Sequence, residues 1–494
     1  MDRRSAVRRL TVLLGVATLP VAAPAWAQQG VAPPGRVYTV AAPAPDGFDR
    51  ERAAAETRAH LDRLIGLDTQ NPPGNELIAA QYLESVFREI PGVETHVLVA
   101  EPGRANFVAR LRATRPTGRP VIVMGHMDVV GADPARWSTP PFTATERNGY
   151  LYGRGAMDDK GMLAAATAAM AQLAERRDSL TRDIIFVGTA GEEGGPPVGI
   201  DWLLENHREL FGDAEFALNE GGRIRVRDNA VYAVNVQTTE KLSYTVTALA
   251  SGPSGHGSVP IPGNALGALT RAASRVHEWR APARLNTTTR LYFERLAAVE
   301  PDAEFRTAMR AISAPGADSA AIASPAAVLS REPLHNAVLR PAASLTMIRG
   351  GFRSNVIPSD GTATFNLRVL PDDDVTRVVA AMQAAGGEEQ VRFTLDGDAR
   401  EAPPASPVTS ALFRAMERAA TTMVPTVTVI PFMSTGATDG AALREAGIPT
   451  YGILPFPLLM EDELRMHGDE ERVPVAALLW ASEFLFRTLH GVTR

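Results

Sequence analysis

Val121-Ile-Val-Met-Gly-His-Met-Asp128 runs four apolar residues into a glycine, then sets a histidine and an aspartate two positions apart. An unbroken apolar run of this length reads as a strand buried on both faces of a parallel sheet. Ligands of open α/β sheets gather beyond the carboxyl ends of such strands, where His126 and Asp128 fall. Residues i and i+2 of extended chain project to the same side. Either His126 binds a metal with Asp128 holding its imidazole, or the strand ends in two incidental polar residues.

The surrounding pattern repeats that strand. Met162 to Leu173 is small and apolar enough for a helix buried on most sides. A second apolar strand, Ile184 to Ala190, follows, then a helix over 199–210 and a short strand from Phe216 to Asn219. Helices over 48–67 and 76–89 and strands at 94–99 and 105–112 precede the opening stretch. This alternation argues an α/β domain with a mostly parallel sheet. From Lys241 the pattern changes to half-buried alternation: Leu242–Ala248, Ser344–Ile348, Thr362–Val369 and 390–395, with helices near 263–279 and 373–385. That is an α+β module inserted into the first domain, which resumes with a helix over 408–421, strands 426–430 and 450–454, and a helix from Pro474 to Leu489. The expected organisation is a signal peptide over 1–27, a flexible Ala/Pro/Gly-rich lead-in over 28–47, a catalytic domain over 48–240 and 403–494, and the inserted module over 241–402.

The signal peptide is read from Arg3, Arg4, Arg8 and Arg9, the apolar run Leu10 to Pro20, and Ala25-Trp-Ala27. An uncleaved anchor is the other reading, and Arg8-Arg9 fits a twin-arginine signal only loosely. The chain has no cysteine, which excludes disulfides, thiolate ligands and a cysteine nucleophile. A cysteine-free exported chain suits a bacterial periplasm. With 494 residues and a net charge of -6 there is ample core and no basic footprint for nucleic acid.

Carboxylates recur after the strands: Asp158-Asp159, Glu192-Glu193 and Glu220, with His467 near the end. Each acidic pair beside glycines reads, alone, as an exposed turn. The three clusters, aimed into one crevice, would raise one another's pKa unless a cation neutralised them. Imidazole and carboxylate donors without thiolates suit zinc, with cobalt or manganese as substitutes.

Gly125-His-Met-Asp128, Tyr152-Gly-Arg-Gly-Ala-Met-Asp158-Asp-Lys-Gly161, Gly191-Glu-Glu193, Asn219-Glu-Gly-Gly222 and Met466-His-Gly468 occur in this order. Together they resemble the co-catalytic zinc exopeptidase family of aminoacylase-1, glutamate carboxypeptidase and succinyl-diaminopimelate desuccinylase. Asp128 through Trp137-Ser-Thr-Pro-Pro-Phe142 to Lys160 is more similar still to carboxypeptidase S and secreted N-acyl amino acid hydrolases. The resemblance implies two zinc ions per subunit. His126 and Glu220 would bind one, Glu193 and His467 the other, and Asp158 would bridge them, followed by a cis peptide bond. Asp128 would orient His126, and Glu192 would be the general base that activates water and protonates the leaving amine.

The inserted module adds further positions by the same resemblance. His256, in Gly252-Pro-Ser-Gly-His-Gly257, matches a lid histidine that reaches a partner subunit's site and polarises the carbonyl; as a lone loop histidine it would simply be solvated. Asn355 and Arg368 match residues that contact the substrate's carbonyl and carboxylate, a strand-surface ion pair being the other reading of Arg368. Gly436, in Ser434-Thr-Gly-Ala-Thr-Asp439, matches a substrate-lining loop. His60, His96, His207, His277, His335 and His490 match no motif. Met127 departs from the usual residue there, and 281–340 is longer than in the smallest relatives.

The expectation is therefore a periplasmic or secreted dizinc hydrolase that cleaves an amide bond next to a free carboxylate and dimerises through the lid. A carboxypeptidase or dipeptidase is favoured over an N-acyl amino acid amidohydrolase. The rivals from other classes are a non-catalytic periplasmic binding protein and a dimetal phosphoesterase.

Overall fold

The computed structural model describes residues 38–40 and 42–494. The expected signal peptide, and the lead-in before Tyr38, lie outside the described residues. Eight strands form the large sheet, in the order Val93–Glu101, Arg104–Leu111, Ile184–Thr189, Val121–His126, Phe216–Arg227, Thr450–Leu458, Ala230–Glu240 and Thr428–Ser434. The four middle strands from Ile184–Thr189 to Thr450–Leu458 are mutually parallel, and Thr428–Ser434 runs parallel to Ala230–Glu240. Val121–His126 is buried at every position, because helices cover both faces. One of them, Lys160–Ala174, is apolar nearly all round and buried at every position but Ala171. It packs with Arg50–Ile65 and Val475–Val492 on one side of the sheet. Burying this much apolar surface, at about 25 cal/mol per Å², dominates the stability of the body.

Glycine at 125 has a local cause. A Cβ there would stand 2.2 Å from Asp159 Oδ2, so only glycine lets the loop after Asp158 lie against the strand end. The Glu220 strand also differs from the short one expected. It runs through to Arg227, and its pairing jumps from Asn219↔Gly452 to Arg223↔Leu454. The extra residues, Glu220-Gly-Gly222, form a bulge of the kind that re-aims a side chain within a strand. Gly221 takes φ +126 there, and beyond it the strand turns to pair antiparallel with Ala230–Glu240, a strand that the residue pattern did not single out.

The second sheet is antiparallel, in the order Ala342–Gly350, Asp360–Val369, Leu242–Ser251 and Val391–Asp396. Helices Ala265–Glu278 and Val375–Gly386 cover one face and complete a separate core. The chain therefore has a mixed α/β body and an α+β module, the fold class expected.

Two segments sit differently from expectation. Residues 281–340 fall in sequence within the lid span, yet four helices from Thr287 to Leu339 pack on the body. Tyr292, Phe293, Met309 and Ile312 share a core with Ile430, Phe432 and Met433 of the large sheet's edge. The described end of the lead-in is also held in place: Tyr38 is buried, and the Ala42 and Pro43 carbonyls accept from Arg50 and Arg487. Aromatic and arginine anchors make the difference, since Ala/Pro-rich composition carries no signal of what docks on it.

Candidate metal centre

The carboxyl ends of the parallel strands bring the acidic motifs together. His126 is buried as the last residue of its strand. Its Nδ1 lies 2.9 Å from the main-chain carbonyl oxygen of Asp128 and 3.5 Å from Oδ1 of the same residue. The closer orienting contact is thus the carbonyl rather than the expected carboxylate. The fully buried Asp128 carboxylate instead accepts from the Glu192 and Glu193 amides at 3.2 and 3.1 Å and from Asn71 Nδ2 at 2.9 Å. Asp128 thereby fixes the turn that carries Glu192 and Glu193 against His126.

Asp158 lies at the centre. Its Oδ1 is 3.0 Å from His126 Nε2, and its Oδ2 is 3.1 Å from His467 Nε2. Glu193 Oε1 is 3.1 Å from the same His467 nitrogen, yet it is buried with no well-formed hydrogen bond. Donor atoms of His126, Asp158 and Glu193 all lie within 4.8 Å of one another. The Asp158–Asp159 peptide is cis, as the resemblance implied. Glu220 is buried on its bulge and lies close enough to Asp158 and His126 to be influenced by both. His467 takes a left-handed backbone, φ +59, on its loop.

The electrostatics are those of carboxylates gathered in low dielectric. Burial, with the Glu220, Asp439 and Glu193 carboxylates nearby, pushes Glu192 well above the usual range. Burial and Asp158 push Glu220 up to about 8. Burial opposes a charged Asp158, but the two imidazoles hold it well below the usual range. Asp158 and Glu193 in turn raise His467 to about 10. Two imidazole nitrogens aimed at the two oxygens of one carboxylate, beside a buried carboxylate oxygen without a hydrogen bond, fit a cation site. A bound cation would favour carboxylate anions and neutral imidazoles, reversing the upward shifts of Glu192, Glu220 and His467 and reinforcing the ionised form of Asp158. An N/O donor set without sulfur suits zinc, cobalt or manganese.

The module's residues stand apart from this cluster. His256 is exposed on a two-residue strand paired with Val356–Ile357, and its Nδ1 accepts from the Ser258 amide at 3.2 Å. In the neutral ring the proton therefore sits on Nε2. The Asn355 carbonyl accepts from the Gly257 amide at 2.7 Å, so both residues belong to one loop pair. Arg368 donates Nε to Asn366 at 2.9 Å, and its buried Nη1 has no partner. It makes no ion pair among the described residues, so the surface-pair reading is not the one observed. The Gly436 amide donates to Ser434 Oγ at 3.1 Å, and a Cβ there would meet nothing closer than 3.7 Å. None of these hydrogen bonds reaches the His126–Asp158 cluster.

Several residues went unread in the sequence. Asn71 ties Asp128 to the Gly194 carbonyl; its Asn-Pro-Pro-Gly74 stretch carries turn-forming residues but no sign of such a tie. Asp439 accepts from Thr189 Oγ1 at 2.6 Å, and burial pushes it up to about 7. Glu471, in the acidic run after His467, accepts from the loop that carries Asp158.

A family model described as peptidase family M20/M25/M40 matches residues 122–491. N-fatty-acyl-amino acid synthase/hydrolase PM20D1 of Xenopus tropicalis is 27% identical over 421 residues, covering 83% of this chain and 80% of that protein. A probable carboxypeptidase S-like 2 of Dictyostelium discoideum is 27% identical over 390 residues, covering 76% of this chain and 72% of its own. Among solved structures, the M20 family metallo-carboxypeptidase Sso-CP2 of Sulfolobus solfataricus has a TM-score of 0.65 at 19% identity. It covers 89% of this chain and 99% of that one. The Bacillus subtilis YXEP protein, described as a dinuclear metal binding peptidase of the M20 family, has a TM-score of 0.56 at 13% identity, covering 90% and 99%.

Proposed function

The chain belongs to the M20/M25/M40 peptidase family and is a hydrolase of amide bonds in peptides or N-acyl amino acids, and we propose that it is a dizinc carboxypeptidase or dipeptidase. The observation that carries the reading is the Asp158 carboxylate, shared between His126 Nε2 and His467 Nε2 with Glu193 beside it. His126 and Glu220 would hold one zinc, Glu193 and His467 the other, and Asp158 both. Such a pair supplies Lewis acidity and brings the pKa of a water near neutrality.

The protein's own groups do the rest. Glu192, the neighbour of a ligand, takes the proton from the attacking water and delivers it to the leaving amine. The Nε2–H of His256 donates to the scissile carbonyl oxygen where charge develops. Arg368, with its unpartnered Nη1, pairs with the free carboxylate of the substrate, for which a planar guanidinium is suited. Asn355 and Gly436 line the path between them.

Zinc content and turnover test this together. Wild-type protein is expected to hold two zinc ions per chain and to cleave dipeptides, and Glu192→Ala to keep both ions while losing turnover. A Glu192→Ala protein with full activity overturns the assignment of the base.

A second substrate reading has its own support. A cavity of about 450 Å³ is lined by Val226 and, from the segment that leads directly into His467, by Leu459, Met460 and Leu464 with Glu461 and Arg465 at its polar side. Met460 and Leu464 leave much apolar surface exposed there, room for an acyl chain of an N-acyl amino acid. Matched dipeptides and N-acyl amino acids of increasing chain length separate the two readings.

The module's edge strand Ala342–Gly350 exposes Met347 and Ile348, with Phe352 just beyond. An apolar open edge of this kind seeks a partner, and we assign it to a homodimer. We place the chain outside the cytoplasm, exported by its amino-terminal signal; no helix among the described residues is long and apolar enough to cross a membrane.

A further inference from the structure

Glu471 is fully buried, four residues after His467 and more than 300 residues from the groups it touches. Its Oε1 accepts from the amides of Met157 at 2.8 Å and Asp158 at 3.0 Å. Its Oε2 accepts from the Gly155 amide at 2.9 Å and from Arg154 Nη1 at 2.7 Å. Four donors meet the hydrogen-bonding capacity of one carboxylate, so no lone pair is left for a cation. Arg154, buried under the Trp137 ring, also donates to the Gly468 carbonyl at 2.8 Å. The Gly153 amide donates to the main-chain carbonyl of Glu471 at 3.1 Å, and Arg472–Pro474 pairs with Tyr150–Tyr152. The segment bearing His467 and the loop bearing Asp158 are thus laced together, with Glu471 as the knot.

We propose that Glu471 is a positioning residue of the metal centre: through three loop amides and Arg154 it holds the Asp158 carboxylate at the point midway between His126 and His467. The inference rests on the two-cation reading of the site but adds a residue that makes no contact with either ion. A carboxylate shared by two cations must be placed to within about 0.5 Å, and only locked surroundings achieve that. The alternative is that Glu471 merely neutralises Arg154 and contributes stability alone.

Glu471→Gln keeps the shape but turns an NH2 group toward the Gly155 amide and Arg154, donors facing donors. Its zinc affinity, measured by competition with a chelator, is expected to fall about 10- to 100-fold for at least one ion. Cobalt-substituted protein is expected to show an altered visible spectrum, and kcat to fall with KM little changed. Glu483→Gln, at a buried carboxylate paired with Arg50 and Arg487 in the last helix, supplies a control for lost stability alone. Wild-type zinc affinity, cobalt spectrum and kcat in Glu471→Gln, with only the melting temperature lowered as in Glu483→Gln, overturn the proposal.

Hydrogen exchange of the wild-type peptide covering 153–159 tests the same point without any metal. Slow exchange, comparable to the strand Val121–His126, is expected; rapid exchange there overturns the proposal even if no variant folds. Wild-type protein that binds no pair of divalent ions would overturn the metal-centre reading instead, a result separate from the exchange measurement.

Discussion

The body and the inserted module present their polar residues in opposite ways. In the body, Asp128, Asp158 and Glu471 are buried, and their oxygens face donors from segments distant in sequence. In the module, His256 and Asn355 are exposed, and Arg368 keeps a nitrogen without a partner. Groups satisfied inside the fold are set before substrate arrives. Groups left open are free to be completed from outside, and on the proposed function that completion comes from substrate or a second chain. On the proposed function the body is a preorganised metal centre, and the module supplies the groups that meet substrate there.

The largest test of that division is Glu192→Ala. Loss of the base is expected to lower kcat by about 10²- to 10⁴-fold with zinc content unchanged, measured by steady-state kinetics beside metal analysis. His256→Ala comes next, with kcat reduced about 10²-fold and zinc affinity unaltered if its Nε2–H serves only the developing oxyanion, as proposed. If His256→Ala instead lost zinc, the two regions would not be functionally separate.

Arg368→Ala should raise KM about 10- to 100-fold, the value of a charge-assisted hydrogen-bond pair at about 1.5–3 kcal/mol. Its preference for a free carboxylate over the carboxamide analogue should vanish in the same assay. Charging the open edge with Ile348→Lys should yield a monomer in sedimentation, with full zinc content in the body.

The smallest effect concerns the body's stability. Burial, with Arg494 and Arg176 nearby, pushes His490 down to about 4, whereas in an unfolded chain it titrates near 6.5. Between those values the unfolded chain binds the extra proton. Stability therefore falls as pH drops from about 6.5 toward 4 and changes no further from this source below it. Thermal melts of His490→Gln should show a flatter slope across that window, worth about 2 °C at its acid end.

Much of the body was legible because apolar strands and helices carry their own period. Val121–His126, Ile184–Thr189 and Lys160–Ala174 lie close to where the apolar runs put them. Asp158 and His467 could be linked only through the resemblance, since nothing local joins positions 309 residues apart. Glu471 was hidden for a related reason. In Asp469-Glu-Glu-Arg472 it looks like its neighbours, and only a tertiary contact separates a buried anchor from a solvated charge. The Glu220 bulge defeated strand reading because glycines that permit a bulge also look like a strand's end. The helices between 287 and 339 were misplaced because an amphipathic helix does not say which surface it will cover.

That last misplacement has a mechanical side. Because Thr287–Leu339 docks on the body, the chain passes between body and module four times rather than twice. The passages are stitched to one another: Lys241 Nζ donates to the Arg340 carbonyl at 2.6 Å, the Arg284 amide to the Leu339 carbonyl at 2.9 Å, and the Ser406 amide to the Thr238 carbonyl at 2.8 Å. A joint made of several laminated leaves bends as a unit and survives the loss of one. A single protease nick between Ala281 and Asn286 would leave both bodies attached through the other three passages.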